Sequence, residues 1–241
     1  MKIEMKRVDD EKGIIQITTT DERWYYKEKN DIFVPSVTWI ASFYPKGVAF
    51  YKWLANKGWD EAEALKIAAG DKGSKVHQAI CDLIDNKEIK IDSKYINHSI
   101  EMLEELSVEE YECVISFADW FKETNPTILN REFVVFNDEM GYAGTVDLLC
   151  KIGDKLCLID IKTSPNIWPE QELQVSAYKH ALKDIDTIAI LQVGYKRNKK
   201  LFKFTEVEDC FDVFLATKQV WKKETKGIVP LQKDYPLSIK L

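Results

Sequence analysis

The sequence predicts an α/β fold with a mixed central sheet and a helical N-terminal elaboration. Three observations carry this. The chain has 241 residues, 45% apolar and 31% charged. That suffices for one large domain, or a core with an elaboration, without disulfide or structural-metal support. Helical periodicity dominates the first half, after an opening hairpin. From Leu129 the period drops to two, and strands arrive in quick succession among amphipathic helices.

Taken in order, residues 13–20 and 23–29 (GIIQITTT and RWYYKEK) read as a β-hairpin around Asp21-Glu22. Pro35 breaks it, and Ser36 can cap a short helix through Tyr44. Residues 47–58, 60–70, 72–87 and 100–106 read as separate helices. Ser107 opens another, with Glu110 at capping-box spacing. Residues 129–136, 142–151 and 154–163 read as three strands of an antiparallel meander. Pro169 starts a helix; strands follow at 186–195 and 201–207, then a closing helix over 209–226. Residues 1–70 form the N-terminal hairpin and helical elaboration, and 71–241 the core with its preceding helices.

Composition excludes several classes. No apolar run reaches the roughly 18–20 residues of a membrane span, and the polar N-terminus lacks a secretory core. The five cysteines (81, 113, 150, 157, 210) contain no CxxC pair, which argues against a disulfide framework or zinc ribbon and for a reduced cytoplasm. The three histidines form no HExxH, so a zinc protease is not expected. The net charge of −6 resides in six glutamates between Asn97 and Glu112. Without that stretch the chain is neutral and carries basic clusters at 196–200 and 218–226, so an anionic partner stays open.

Two aspartates resist a structural explanation. Asp147 lies between Val146 and Leu148, and Asp160 between Ile159 and Ile161. A carboxylate in so apolar a strand must be paired, hydrogen-bonded or bound to a metal. A turn near Gly153 sets Cys150 opposite Cys157, Asp147 opposite Asp160 and Thr145 opposite Lys162. The acids and Lys162 then share one face, with Val146, Leu148, Cys150, Cys157, Ile159 and Ile161 packed on the other. Two close carboxylates attract a cation, and oxygen ligands favour Mg²⁺ or Mn²⁺. A lysine beside them can orient an attacking water, which suits phosphodiester hydrolysis. The competing reading is a structural Asp–Lys pair beside a locally hydrogen-bonded Asp.

These residues resemble a family. GTVDLLC followed by LIDIKTS is similar to the core of the PD-(D/E)XK nucleases, in their RecB-like exonuclease branch of phage and mitochondrial genome maintenance type. Three further elements fit in order: the Gly73–His77 helix segment, Arg131-Glu132-Phe133, and Gln174 to Tyr178. The resemblance implies a restriction-endonuclease-like core and a Mg²⁺- or Mn²⁺-dependent DNA exonuclease. Its metal ligands would be His77, Asp147, Asp160 and Ile161, and its catalytic residues Asp147, Asp160, Lys162, Glu132, Gln174 and Tyr178. The four-cysteine spacing of cluster-bearing members is absent, so no iron–sulfur cluster is expected. The implied partner is a DNA end or single strand, with a recombination or replication protein beside it, in a bacterial or phage-infected cytoplasm and not at a membrane. The alternatives are a catalytically idle DNA-binding accessory and a structure-specific endonuclease. Residue by residue, plainer readings stand beside these: His77 as a half-buried helix histidine, Glu132 in an ion pair, Gln174 and Tyr178 as a packing pair at i and i+4. Trp39, Trp53, Trp59 and Trp168 are read as core before base-stacking residues. Lys72 and Lys75, read at a helix start, can hold a phosphate.

Overall fold

The computed structural model describes residues 3–19 and 21–228. The opening segment forms a four-stranded antiparallel sheet from β1 (Glu4–Asp9), β2 (Ile14–Thr18), β3 (Arg23–Lys27) and β4 (Ile32–Pro35), in that order. The expected hairpin is β2–β3, extended by a strand on each side. Ser36 ends β4 and caps α1 (Val37–Ala41), its Oγ accepting from the Trp39 N–H at 3.0 Å. That helix stops at Ala41, short of Tyr44. Then come α2 (Val48–Lys57) and α3 (Trp59–Ile84).

Two expectations fail here. Segments 60–70 and 72–87 are not separate helices: α3 runs unbroken for 26 residues, and position 70 lies inside it. Gly70 and Gly73 each weaken a helix by about 1 kcal/mol relative to Ala, but neither terminates it. No helix starts at Lys72, therefore. Lys75 is buried instead, with Nζ 3.0 Å from Glu110 and 3.3 Å from Glu104. Residues 100–106 are not helical either. They supply β6 (Met102–Glu105), paired with β5 (Lys94–Asn97). The Gln78 side chain on α3 bonds both the N–H and the carbonyl of Ile96, holding this hairpin against the helix. That tertiary contact overrides a local helical pattern.

The remaining elements match expectation: α4 (Val108–Thr124) behind its Ser107/Glu110 capping box, β7 (Thr127–Asn137), β8 (Tyr142–Ile152), β9 (Lys155–Lys162), α5 (Pro169–Ala181), β10 (Thr187–Val193), β11 (Phe202–Glu206) and α6 (Phe211–Glu224). The last of residues 71–241, from 229 on, lie outside the described residues. The central sheet has the order β11-β10-β9-β8-β7. Crossover through α5 makes β9 and β10 parallel, and the other pairs are antiparallel. The sheet is thus mixed, as expected.

Helices cover both faces. On one side Val37, Leu173, Val175 and Phe214 of α1, α5 and α6 pack with Leu158, Ile188 and Ile190. On the other, Val76, Ile80, Phe117 and Trp120 of α3 and α4 pack with Ile159, Ala189, Leu191 and Val193. The period-2 alternation of β9 and β10 feeds both layers. Full burial of each large apolar side chain contributes about 1.5–3 kcal/mol. The Ser36–Ala143 bridge joins the N-terminal sheet to β8. Among the described residues no helix is long and apolar enough to cross a membrane.

Candidate active site

The site forms where β8 changes faces. Tyr142 donates to the Ala177 carbonyl at 3.0 Å, Gly144 lies against Tyr178, and Val146 packs with the α5 layer. Leu148 and Cys150 pack instead with α3 and α4. The strand changes phase between Val146 and Leu148, which leaves Asp147 at the break. Val146 therefore does not share a face with Leu148 and Cys150 as expected. Glu132, on the neighbouring β7, has a left-handed φ of 45°, a strained state for a non-glycine residue and one concentrated at functional sites.

The hairpin register is the expected one as far as it runs. Cys150 lies opposite Cys157 and Leu148 opposite Ile159, and the ladder ends there, one step short of Asp147 and Asp160. Thr145 pairs with Val134 of β7, not with Lys162. Where the ladder ends, the Ile161 N–H donates to Asp147 Oδ2 at 2.7 Å. The Ile161 carbonyl accepts from His77 Nε2 at 3.0 Å. Ile161 thus presents its backbone to both residues.

His77 reaches in from α3. Its Nδ1 lies 3.3 Å from Glu132 Oε1 and 3.6 Å from Asp147 Oδ1. His77, Glu132 and Asp147 each offer a ligand atom, all within 4.8 Å of one another, and can hold a metal ion. Burial alone would lower the His77 pKa, but Asp147 and Glu132 outweigh it and raise the pKa to about 9. Burial lifts Asp147 to about 7; Asp160 adds to the rise and His77 opposes it.

Asp160 stands outside that trio. It is 1% exposed, and its Oδ1 accepts from Gln174 Nε2 at 2.9 Å. The same amide nitrogen donates to the Tyr178 hydroxyl at 3.0 Å. Lys162 Nζ lies 2.7 Å from Asp160 Oδ2. The ammonium engages one lone pair of Oδ2, and no other group among the described residues takes the second. Burial works against the Lys162 charge, but Asp160 and Asp147 outweigh it and hold the side chain as an ammonium. Arg131 pairs with Asp85 at the end of α3, not with Glu132.

A cavity of about 790 Å³ opens over these groups, lined by His77, Glu132, Asp147, Lys162, Gln174 and Tyr178. Residues that sequence reasoning missed line it too. Gly144 is one: a Cβ there would lie 2.4 Å from the Tyr178 ring, so close approach requires glycine. Its place three residues before Asp147 was the available signal. Tyr25 is another, its hydroxyl 3.0 Å from that of Thr145; no sequence spacing links residues 120 apart.

Other candidates lie elsewhere. Trp39 packs edge-on against Trp24 and Trp221. Trp53, Trp59 and Trp168 are 39%, 72% and 52% exposed, so contrary to expectation they are not core, and none lines the cavity. In the 196–200 cluster, Lys196 and Lys200 pair with Glu109 and Glu123 of α4.

No protein-family model and no curated protein sequence matches the chain. Among solved structures it is similar to the alkaline exonuclease LHK-Exo from Laribacter hongkongensis, at 15% identity and a TM-score of 0.37, over 84% of this chain and 94% of that one. For LHK-Exo in complex with dAMP the identity is 13% and the TM-score 0.40, over 85% and 95% of the two chains. Values this low leave the functional reading to the residues themselves.

Proposed function

We propose that this chain is a metal-dependent DNA exonuclease of the PD-(D/E)XK type, acting in phage or bacterial DNA recombination, repair or replication. The observation that carries the reading is the convergence of His77, Glu132 and Asp147 within 4.8 Å, beside the buried Asp160–Lys162 pair.

The donors fit a divalent ion. Imidazole and carboxylates match Mn²⁺ and Mg²⁺, and the second lone pair of Asp160 Oδ2 and the Ile161 carbonyl complete an oxygen-rich set. His77, Glu132, Asp147 and Asp160 would hold the ion with Ile161. Bound there, it would supply Lewis acidity and charge compensation for attack on a phosphodiester.

The chain's own residues do the rest. Lys162, held as an ammonium by Asp160 and Asp147, lines the cavity, where it can orient a water and offset charge developing on phosphate oxygens. Gln174 fixes Asp160 through one N–H and Tyr178 through the other. Tyr178, flush against Gly144, keeps that amide from rotating. The reading places the protein in the cytoplasm of a bacterial or phage-infected cell.

A digestion panel with Mg²⁺, Mn²⁺ or EDTA tests this, using end-labelled single- and double-stranded DNA beside closed circular plasmid. The expected result is divalent-ion-dependent loss of linear DNA with circular DNA spared, and no cleavage by folded Lys162→Ala. Cutting of the closed circle would make the enzyme an endonuclease. Cleavage by Lys162→Ala at the parent rate would remove the mechanism.

A further inference from the structure

We propose that the N-terminal sheet is the strand-binding wall of the cavity, with Lys6 and Arg23 as its contacts to the phosphates of a single nucleic-acid strand. The identity of the anion rests on the nuclease reading; the cationic wall does not.

The sheet register builds this wall. Lys6 of β1 lies opposite Gln16 of β2, which lies opposite Tyr25 of β3. Directly opposed residues share a face, and Arg23, two residues before Tyr25, joins them. That face has two halves. Ile14, Tyr25 and Val34 are buried against Val134 and Ala143 of the central sheet. Lys6, Gln16 and Arg23 overhang the cavity that also holds Asp147 and Lys162. Gln16 Nε2 donates to the Tyr25 hydroxyl at 2.7 Å, and that hydroxyl meets Thr145 Oγ1 at 3.0 Å. Thr145 is two residues from Asp147, so this chain of polar contacts fixes the wall's position relative to the acids.

The charges on the wall are free for a ligand. Arg7 also lines the cavity, but its guanidinium is taken by Glu28 at 2.7 and 3.0 Å. Lys6 and Arg23 have no carboxylate partner among the described residues. A cationic overhang facing an acidic site suits a ligand with anionic groups spaced along its length. The opposite side is lined by Gly73, Ser74 and Gln78 of α3, so the ligand is held between sheet and helix. A volume of about 790 Å³ is that of a pocket for a small organic molecule. That suits a short stretch of one strand lying between sheet and helix.

The test is binding of a fluorescein-labelled oligothymidylate in Ca²⁺ across a salt titration, for the parent, Lys6→Ala/Arg23→Ala and Lys151→Ala/Lys155→Ala. The last pair removes equal charge at the far end of β8 and β9. The wall variant should bind roughly ten-fold more weakly, the scale of one or two charge-assisted hydrogen bonds. Its log–log salt slope should fall by about 0.7 per lost contact, with an unchanged melting temperature. The far-end variant should bind as the parent does, and blunt duplex should compete poorly. Parent-like binding by the wall variant, an equal loss in the far-end variant, or no binding by the parent would overturn the proposal. The two readings fail separately. A parent that binds through Lys6 and Arg23 but cleaves nothing keeps the wall and loses the nuclease; a wall variant that binds normally while the parent cleaves does the reverse.

Discussion

Gly144→Ala tests the packing that supports the site. A methyl group at this position would lie 2.4 Å from Tyr178 Cε1 and 3.0 Å from both Cζ and the hydroxyl oxygen. Carbon atoms rest about 3.5–4.0 Å apart, so the ring must retreat by about 1 Å. Tyr178 is 2% exposed and cannot swing into solvent. Overpacking of this kind costs about 1–3 kcal/mol. In a chain this long each kcal/mol lowers the melting temperature by about 2–4 °C, so the variant should melt about 2–12 °C below the parent. The shift also moves the Tyr178 hydroxyl off Gln174 Nε2, the atom that holds Asp160. Misplacement by about 1 Å can lower a catalytic rate by about 100-fold. Thermal denaturation and initial cleavage rates on labelled DNA read the two effects. Adding Tyr178→Leu removes the clash, so the double variant should be more stable than the two single losses imply, with a coupling of about 0.5–3 kcal/mol. Strictly additive losses, or a Gly144→Ala protein with parental stability and rate, would refute the contact.

Three further outcomes follow from the same geometry. His77→Ala should weaken Mn²⁺ binding more than Mg²⁺ binding in a calorimetric titration, because imidazole suits the softer ion; equal losses, or none, count against His77 as a ligand. Metal affinity should rise with pH from about 6 to 9, since the ion must displace protons from Asp147, raised to about 7, and His77, raised to about 9; a flat profile would contradict that competition. Lys75→Ala should destabilise the fold by about 1–3 kcal/mol, because the buried Glu110 carboxylate loses its ammonium and keeps only the Ser107 N–H of the capping box, and a denaturant titration showing no loss would contradict a stabilising role for the pair.

Much of the core was legible because its signals are local. Ile188 and Ile190 face one helical layer and Ala189, Leu191 and Val193 the other, the alternation that period-2 reading detects. Ser107 and Glu110 form their capping box, and Pro169 starts α5. The grouping of His77, Glu132 and Asp147 was legible only through the resemblance, since 55 residues separate the first two. Other features depend on contacts that no local pattern encodes. Gly70 and Gly73 look like helix breaks, yet α3 passes through both. Residues 100–106 carry a helical pattern, but Gln78 holds the neighbouring strand to α3 and the segment pairs as β6. The phase change of β8 at Asp147 coincides with the left-handed backbone of Glu132, and a strict two-residue period misplaced Val146. The wall formed by the N-terminal sheet depends on Tyr25 meeting Thr145 across 120 residues.

The most direct test of the central claim compares the parent with Asp147→Asn, in Mg²⁺, Mn²⁺ and EDTA, on 5′- and 3′-labelled linear DNA. Asparagine keeps the size of the side chain and its acceptor for the Ile161 N–H but removes the charge beside His77 and Glu132. Cleavage by the parent with either ion, none in EDTA, and loss of cleavage in the folded variant are expected. A folded Asp147→Asn that cuts at the parent rate, or a parent that cuts equally well in EDTA, would contradict the central claim.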